Sequence, residues 1–239
     1  MSNVEEAGGE SVAPGGPPPF SPFPKRLIQT FFSPGDLGEA LARHPAWGAA
    51  LLLGAMLVVG QTVLIPAEVW DAMFRETMLR QGREMPAGFA AAGTFMRISA
   101  VVGGAIGFVL MTLLFAGLTT FIFAFVMGDE GRFRQYLAVL AHAWLIPAIV
   151  GFALLPLKIS QQNPQFTLNL GTFFFFLPEG YPLKVLTMLD LSQAWAWLVL
   201  AQGAHAIDSR RSFGSAATIL MVLFLAMAML FAIWVPMPG

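Results

Sequence analysis

The stretch ATILMVLFLAMAMLFAIW, residues 217–234, contains no charged side chain and neither Gly nor Pro. The hydrocarbon core of a bilayer is about 30 Å thick, and a helix crosses it with roughly 20 residues at about 1.5 Å per residue. The stretch and its flanks therefore predict a transmembrane helix over residues 215–235. The tryptophan that ends it is typical of the membrane–water interface.

Four further apolar stretches are long enough to cross a bilayer. They cover approximately residues 46–65, 98–127, 136–157 and 183–206. The second of them lacks charge over about thirty residues, so its helix must tilt or protrude from the bilayer. The sequence therefore predicts an all-α, polytopic integral membrane protein: a bundle of five transmembrane helices with short interfacial helices.

The composition agrees with lipid as the main solvent of the chain. Of the 239 residues, 56% are hydrophobic and 11% are charged, whereas soluble domains have about 45–50% and about 25%. A net charge of −1 leaves no basic excess, so nucleic acid is not expected as a partner. The chain has no cysteine, and the common zinc, nucleophile-elbow and phosphate-loop signatures are missing. No catalytic residue, metal site or cofactor is predicted.

Basic residues in two short links indicate the orientation. Arg132 and Arg134 lie between the second and third predicted spans, and Arg210 and Arg211 lie between the fourth and fifth. Short links that are rich in Lys and Arg remain in the cytoplasm. The N-terminus is therefore expected in the cytoplasm and the C-terminus outside.

The region before the first span has two parts. Residues 1–30 are rich in Pro and Gly and are predicted to form a disordered cytosolic tail. The segment FFSPGDLGEALARHPAW, residues 31–47, is expected to form a short helix at the inner membrane surface, capped by Ser33. The membrane domain is then expected to cover residues 31–239.

Polar side chains in and beside the predicted spans define a candidate intramembrane polar site. Its members are Asp190, Arg97, Gln61, His142 and His205. An ionised acid costs about 3 kcal/mol to insert, so Asp190 is expected to face the bundle, water or a partner, or to be protonated. Arg97 and Gln61 are expected near its depth, and His142 nearer to His205. Two interpretations remain open: hydrogen bonds that join helices, or a proton or ion path through Asp190.

Small residues at a spacing of four also occur in the predicted spans. Gly103-x-x-x-Gly107 lies in the second span and Ala50-x-x-x-Gly54 in the first. This spacing allows two helix backbones to approach closely. Both motifs are interpreted as sites of tight internal packing.

Four blocks of sequence follow one another in a characteristic order: FFSPGDLGEALARHPAW, GDEGRFRQYLAVLAHAWLIPAIVG, MLDLSQAWAWLVLAQGAHAI and the SRR turn before the last span. Together they resemble the Yip family of Ypt/Rab-interacting membrane proteins, in its prokaryotic-type form. The resemblance implies five spans with a cytosolic N-terminus. The chain departs from the family pattern at His142, where an aromatic Tyr is usual, and at Ser192-Gln193.

The resemblance implies a non-enzymatic membrane protein that acts as a membrane-organising or trafficking-type adaptor or scaffold. Its candidate cytosolic partner surface comprises Arg132, Arg134, Arg210 and Arg211, which also serve as ordinary topology signals. The expected partners are the lipid bilayer and an unidentified membrane or cytosolic protein, with a Rab-type GTPase only in a eukaryotic cell. The composition favours a prokaryotic inner (plasma) membrane. The alternative functions are a small transporter or channel component centred on Asp190, and a membrane enzyme that acts on lipids.

Overall fold

A computed structural model describes residues 21–80, 82, 89–174 and 176–234. Over these residues the protein is all-helical, and its one β-type pairing is an isolated antiparallel bridge between Asn169 and Asp190. A π-helical turn, Phe121–Val126, continues the fifth helix. The α-helices are α1 (Phe23–Phe32), α2 (Pro34–Arg43), α3 (Gly48–Leu64), α4 (Ala67–Arg80), α5 (Phe89–Thr120), α6 (Phe133–Ala143), α7 (Leu145–Ala153), α8 (Leu155–Ser160), α9 (Tyr181–Met188), α10 (Leu191–Ile207) and α11 (Phe213–Trp234).

Three helical segments of the described chain are long and apolar enough to cross a membrane. They are Arg97–Val126, Phe133–Ala153 and Phe213–Trp234, and they correspond to the predicted spans at 98–127, 136–157 and 215–235. Helices α3 and α4 provide a fourth candidate if they count as one span, although they are bent by 83°. The fold is therefore a helical membrane protein with three to four candidate spans, whereas the predicted number of five is not established.

Prolines determine where the helices end or break. Pro66 forces the preceding Ile65 into an extended conformation (ψ 124°), so α3 ends there and α4 starts in a new direction. Pro147 and Pro156 lack an amide hydrogen and crowd the carbonyl four residues earlier. The third span is accordingly divided into α6, α7 and α8.

The predicted fourth span, 183–206, is not one continuous helix. Helix α9 ends at Met188, Asp190 is extended (φ −74°, ψ 130°), and α10 begins at Leu191. Asp190 binds the first turn of α10 through its own side chain, which favours a new helix over the continuation of α9.

The centre of the bundle is built around α10. This helix contacts α2, α6, α7 and α11, and eight of its 17 residues are buried. Trp197 is 2% exposed and meets Phe115 and Trp144 edge to face, with ring centroids 5.7 and 5.9 Å away. Phe115 and Trp144 are also in edge contact at 5.8 Å. These three rings, which we call the aromatic centre, fill the space between α5, α10 and the junction of α6 with α7.

The N-terminal region also contributes to the core. Leu37 and Leu41 of α2 are completely buried against the central cluster, and the Gln135 side chain donates a hydrogen bond of 2.7 Å to the carbonyl of Ala42. Helix α1 also includes residues that we assigned to the disordered tail, so that assignment is wrong for residues 23–30. Residues 1–20 of the predicted tail lie outside the described residues.

The two small-residue motifs have different environments. A side chain added at Gly54 would lie 2.3 Å from the Phe108 ring, and Ala50 is fully buried, so tight packing at Ala50-x-x-x-Gly54 is confirmed. A Cβ atom at Gly103 or Gly107 would meet nothing within 4 Å among the described atoms. The packing role predicted for Gly103-x-x-x-Gly107 is therefore wrong, because this face of α5 is open.

Candidate functional site: two polar clusters

Polar and charged groups gather at opposite ends of the bundle. We call one group the break cluster, composed of Gln61, Lys158, Asp190 and Ser192, because it surrounds the interruption between α9 and α10. We call the other the link cluster, composed of Asp129, Asp208, Arg210 and Arg211, because it joins the two short links that carry the arginines.

Asp190 caps the N-terminus of α10. Its Oδ1 atom accepts a hydrogen bond of 2.9 Å from the amide of Gln193 and a second one from the hydroxyl of Ser192. The side chain is 6% exposed. A carboxylate at this position binds amide hydrogens that have no partner within the helix, and it is stabilised by the helix dipole. Capping of α10 therefore explains why an acidic residue is present in this apolar segment.

The backbone around the break is also satisfied. The amide of Leu170 donates to the carbonyl of Leu189 at 3.0 Å, and the amide of Leu191 donates to the carbonyl of Leu168 at 2.9 Å. An interrupted helix is tolerated at membrane depth only where other parts of the protein bind the freed backbone groups. The segment before α9 supplies them here.

Lys158 belongs to this cluster, although the sequence analysis missed it. Its Nζ atom donates to Oε1 of Gln61 at 3.0 Å, and the Gln61 amide donates to the carbonyl of Ala148 at 3.1 Å. Lys158 is 7% exposed, and burial lowers its pKa below the usual range, while the negative charge of Asp190 opposes that shift. The available signal was a lone Lys directly after an apolar span.

The five residues of the predicted intramembrane site do not form one site. Gln61 and Asp190 both belong to the break cluster, whereas no hydrogen bond or ion pair among the described residues joins Arg97 to it. His142 is completely buried beside the Phe23 ring, and its Nδ1 contacts the carbonyl of Ala138 at 2.8 Å. His205 contacts the carbonyl of Arg211 at 2.6 Å through Nδ1, at the other end of the bundle.

The role of Asp190 as a cap predicts a specific pair of mutant results. Asp190→Ala removes the acceptor and should lower the free energy of unfolding by about 1 kcal/mol, whereas Asp190→Asn retains a good cap and should cost much less. Equilibrium unfolding in detergent micelles measures both. Equal losses for Ala and Asn would contradict the capping role, since they would indicate that the negative charge itself is required.

Arg211 and Asp129 form a two-pronged ion pair across the links. Nε and Nη2 of Arg211 lie 2.5 and 2.6 Å from Oδ2 and Oδ1 of Asp129, and the two side chains are 9% and 6% exposed. The guanidinium also lies over the Phe123 ring, 5.3 Å from its centroid. Arg211 was predicted as part of a free partner surface, but it faces inward and fixes the second link to the first.

Asp208 holds the remaining part of the link cluster. Its carboxylate accepts hydrogen bonds from Nη2 of Arg210 at 2.6 Å and from the amides of Glu130 and Arg210 at 3.0 Å each. The Arg210 side chain, followed by these backbone donors, lowers the pKa of Asp208 well below its usual range. Asp208 is thus the acceptor that ties the end of α10 to the link before α6.

This depressed pKa predicts how stability depends on pH. The unfolded chain takes up a proton on Asp208 at a higher pH than the folded protein does, near about 3.9. The stabilisation is complete above that pH and is lost as the pH falls toward the lower pKa of the folded state. Between about pH 5 and about pH 2, the unfolding temperature should therefore fall more for the wild type than for Asp208→Asn.

The matched control is Glu39→Gln, which alters an exposed carboxylate on α2. It should leave the slope of unfolding temperature against pH nearly unchanged. Parallel slopes for the wild type and Asp208→Asn would contradict the assigned role of Asp208.

Three of the four predicted surface arginines remain exposed. Arg132 and Arg134 lie at the start of α6, where the Arg132 amide donates to Oε1 of Gln135 at 2.8 Å. The Arg210 side chain is 62% exposed despite its contact with Asp208, and it also lies 3.5 Å from Glu130. Positive charge is therefore presented mainly by the start of α6 and by one side of the second link.

No group of three or more His, Asp or Glu side chains in the described ranges is placed to bind a metal ion. The long apolar helices, their broken and capped ends and the paired polar groups define a multi-pass helical membrane protein.

The chain belongs to the Yip1 domain family, whose profile matches residues 28–235, nearly the whole sequence. This family is associated with membrane trafficking and is not known for enzymatic activity. No curated protein and no solved structure matches the chain.

Proposed function

We propose that this protein is a five-span, non-enzymatic adaptor or scaffold that organises a membrane by holding a protein partner at the exposed arginines beside the link cluster. Its N-terminus lies in the cytoplasm and its C-terminus outside, in a prokaryotic inner membrane. Membership of the Yip1 family supports this function, and the filled aromatic centre is the observation that carries it.

The chain has five spans if the shorter helices α3 and α10 also cross the bilayer. Helices α3 and α10 have 17 residues each. At about 1.5 Å per residue they measure about 25 Å, at the lower limit for a span. Helix α10 contacts α2, α6, α7 and α11, so part of its surface is covered by protein and its length needs to match the bilayer less closely.

The two links support the orientation. Five spans place the termini on opposite sides, and both links then lie on the side of the N-terminus. Arg132, Arg134, Arg210 and Arg211 lie in or next to these links, as expected for cytoplasmic loops.

The aromatic centre favours a scaffold over a transporter. A pathway for ions requires polar groups or water along the bundle. Phe115, Trp144 and Trp197 instead fill the space between the two polar clusters with edge-to-face contacts. Asp190, the centre of the alternative transport function, already has one carboxylate oxygen, Oδ1, bound to Ser192 and Gln193.

The proposed partner surface consists of Arg132, Arg134 and Arg210. These arginines are exposed, and the buried pair of Arg211 with Asp129 supports the links that present them. A partner with an acidic surface, either a membrane protein or a cytosolic one, complements this charge. A Rab-type GTPase fits only in a eukaryotic cell.

Site-specific photo-crosslinking in cells tests the adaptor function. A photoreactive amino acid at Arg134 should capture one reproducible protein, and Arg132→Ala with Arg210→Ala should abolish the adduct. The same probe at Gln161, an exposed position at the opposite end of the bundle, is the matched control. A chain that gives no reproducible adduct at position 134 would overturn the proposal. Proton or ion flux in liposomes that Asp190→Asn abolishes would instead establish the transport function.

A further inference from the structure

Helix α1 has an unusual distribution of polar and apolar side chains. Arg26 and Thr30, which are polar, are 4% and 0% exposed. Ile28 and Phe32, which are large and apolar, are 62% and 82% exposed. In water a surface helix places its apolar side inward. This helix packs Phe23 and Leu27 inward but also exposes Ile28 and Phe32, as expected for a helix whose outer face meets lipid.

The inward face of α1 is bound to the spans. The Thr30 hydroxyl donates to the carbonyl of Arg26 at 2.8 Å, and the Arg26 guanidinium contacts the carbonyl of Ala46 at 3.5 Å, just before α3 begins. Phe23 and Leu27 pack against the buried cluster that contains Ala50, Leu51, Ala141 and Leu145. The polar groups of α1 are therefore covered by the protein itself.

The depth of α1 follows from its contact with the third span. The Phe23 ring lies 6.1 Å from the ring of His142. His142 lies nine residues after Phe133 in a span of 21 residues, about 13 Å from its end. One end of α1 thus packs beside the inner part of this span and not beside its end.

The neighbouring helix α3 also exposes large apolar side chains. Helix α3, which α1 contacts, exposes Leu52 and Met56 at 64% and 61%. These residues lie in an apolar helix whose outer surface is expected to meet acyl chains. Lys25, on the edge of the exposed face of α1, has a long side chain that can extend to the headgroups.

We propose that α1 is a lipid-binding helix that lies within one leaflet, with Ile28 and Phe32 in contact with acyl chains. The occupant of this face is the bilayer, not a second copy of the chain or another protein. The proposed topology is needed only to decide which leaflet contains α1, and it assigns the cytosolic leaflet.

The absence of cysteine from the sequence makes the test direct. Single nitroxide labels are placed through Ile28→Cys, Phe32→Cys and, as the matched control, Glu39→Cys, which alters an exposed charged position on α2. The full chain is reconstituted in vesicles of phosphatidylethanolamine and phosphatidylglycerol. Collision rates with oxygen, which partitions into lipid, and with a water-soluble nickel complex are measured for each label.

Labels at 28 and 32 should collide several-fold more with oxygen than with nickel, and the label at 39 should show the reverse. Dominant nickel collisions at 28 and 32 would overturn the proposal, because the face would lie in water. Immobile labels that reach neither reagent would also overturn it, because a protein would cover the face.

Photoreactive acyl chains applied to the unaltered protein should form adducts within α1, and their absence there would contradict lipid contact. A chain that fails this test and still captures a partner at Arg134 retains the proposed function.

Discussion

Replacing Gly203 by alanine should lower the free energy of unfolding by roughly 2 kcal/mol, even though alanine favours a helix by about 1 kcal/mol. A Cβ atom at Gly203 would lie 2.3 and 2.7 Å from the Cγ atoms of Val139 and 3.0 Å from its Cβ. Val139 is β-branched and has few alternative rotamers, so the helices themselves must separate. Unfolding in detergent micelles with a denaturing surfactant measures the loss.

The chain supplies both a control and a suppressor for this prediction. Gly107→Ala, at an open position of α5, should be neutral or slightly stabilising. Val139→Ala removes the two nearest atoms, so the double variant should lose less than the two single variants together. Strict additivity, or a cost at Gly107 equal to that at Gly203, would contradict a close contact between α6 and α10.

The close approach at Gly203 continues on the other side of α10. A Cβ atom at Gly38 would lie 3.0 Å from the Ala206 side chain and 3.3 Å from the Cα atom of Gly203. Helix α10 is therefore held between α6 and α2 through small residues. This arrangement explains why α2, which precedes the first span in sequence, lies in the core.

The apolar spans could be predicted from sequence because their signal is length and composition. The helices at 98–127 and 215–235 required no knowledge of any partner. The break before α10 could not be predicted, since hydropathy stays high on both sides of Asp190. The break depends on the hydrogen bond that the Asp190 carboxylate accepts from Gln193 and on the bridge between Asp190 and Asn169. The bridge involves a segment that is distant from α10 in sequence.

The polar site was harder to predict for a geometric reason. Counting residues along separate helices gives an expected depth for each side chain, and by that count His142 and Asp190 differ in depth. Counting does not reveal which way a side chain points, so Arg97 was placed near Asp190 and Lys158 was left out. The folded structure instead brings Lys158 of α8 within 3.0 Å of Gln61 of α3.

The direction of the arginine side chains in the partner surface could not be predicted either. Arg210 and Arg211 are adjacent in sequence and look equivalent as topology signals. The structure separates them, because Arg211 faces Asp129 and Phe123 while Arg210 remains on the surface. The sequence shows only that one link contains Asp129 and the other contains Arg211. Their contact depends on how the bundle folds.

Arg211→Ala should destabilise the protein by roughly 2 kcal/mol, the second large effect that the structure predicts. Breaking a fully interior ion pair costs about 3–5 kcal/mol, because the remaining charge has no partner. The pair of Arg211 with Asp129 is covered but close to the surface, so solvent screens it and the expected cost is smaller. Arg211→Lys should recover only part of the loss, since an ammonium group cannot form both contacts. Unfolding in micelles measures each change.

Arg43 provides the matched control for this ion pair. It pairs with Glu39 at 2.9 Å, but the two side chains are 53% and 66% exposed, so Arg43→Ala should cost less than about 0.5 kcal/mol. A double variant with Asp129→Asn and Arg211→Ala should be more stable than Arg211→Ala alone, because it removes the charge left without a partner. If Arg211→Ala costs no more than Arg43→Ala, the links are held together by other contacts. The proposed partner surface would then lack the rigid support that we assign to it.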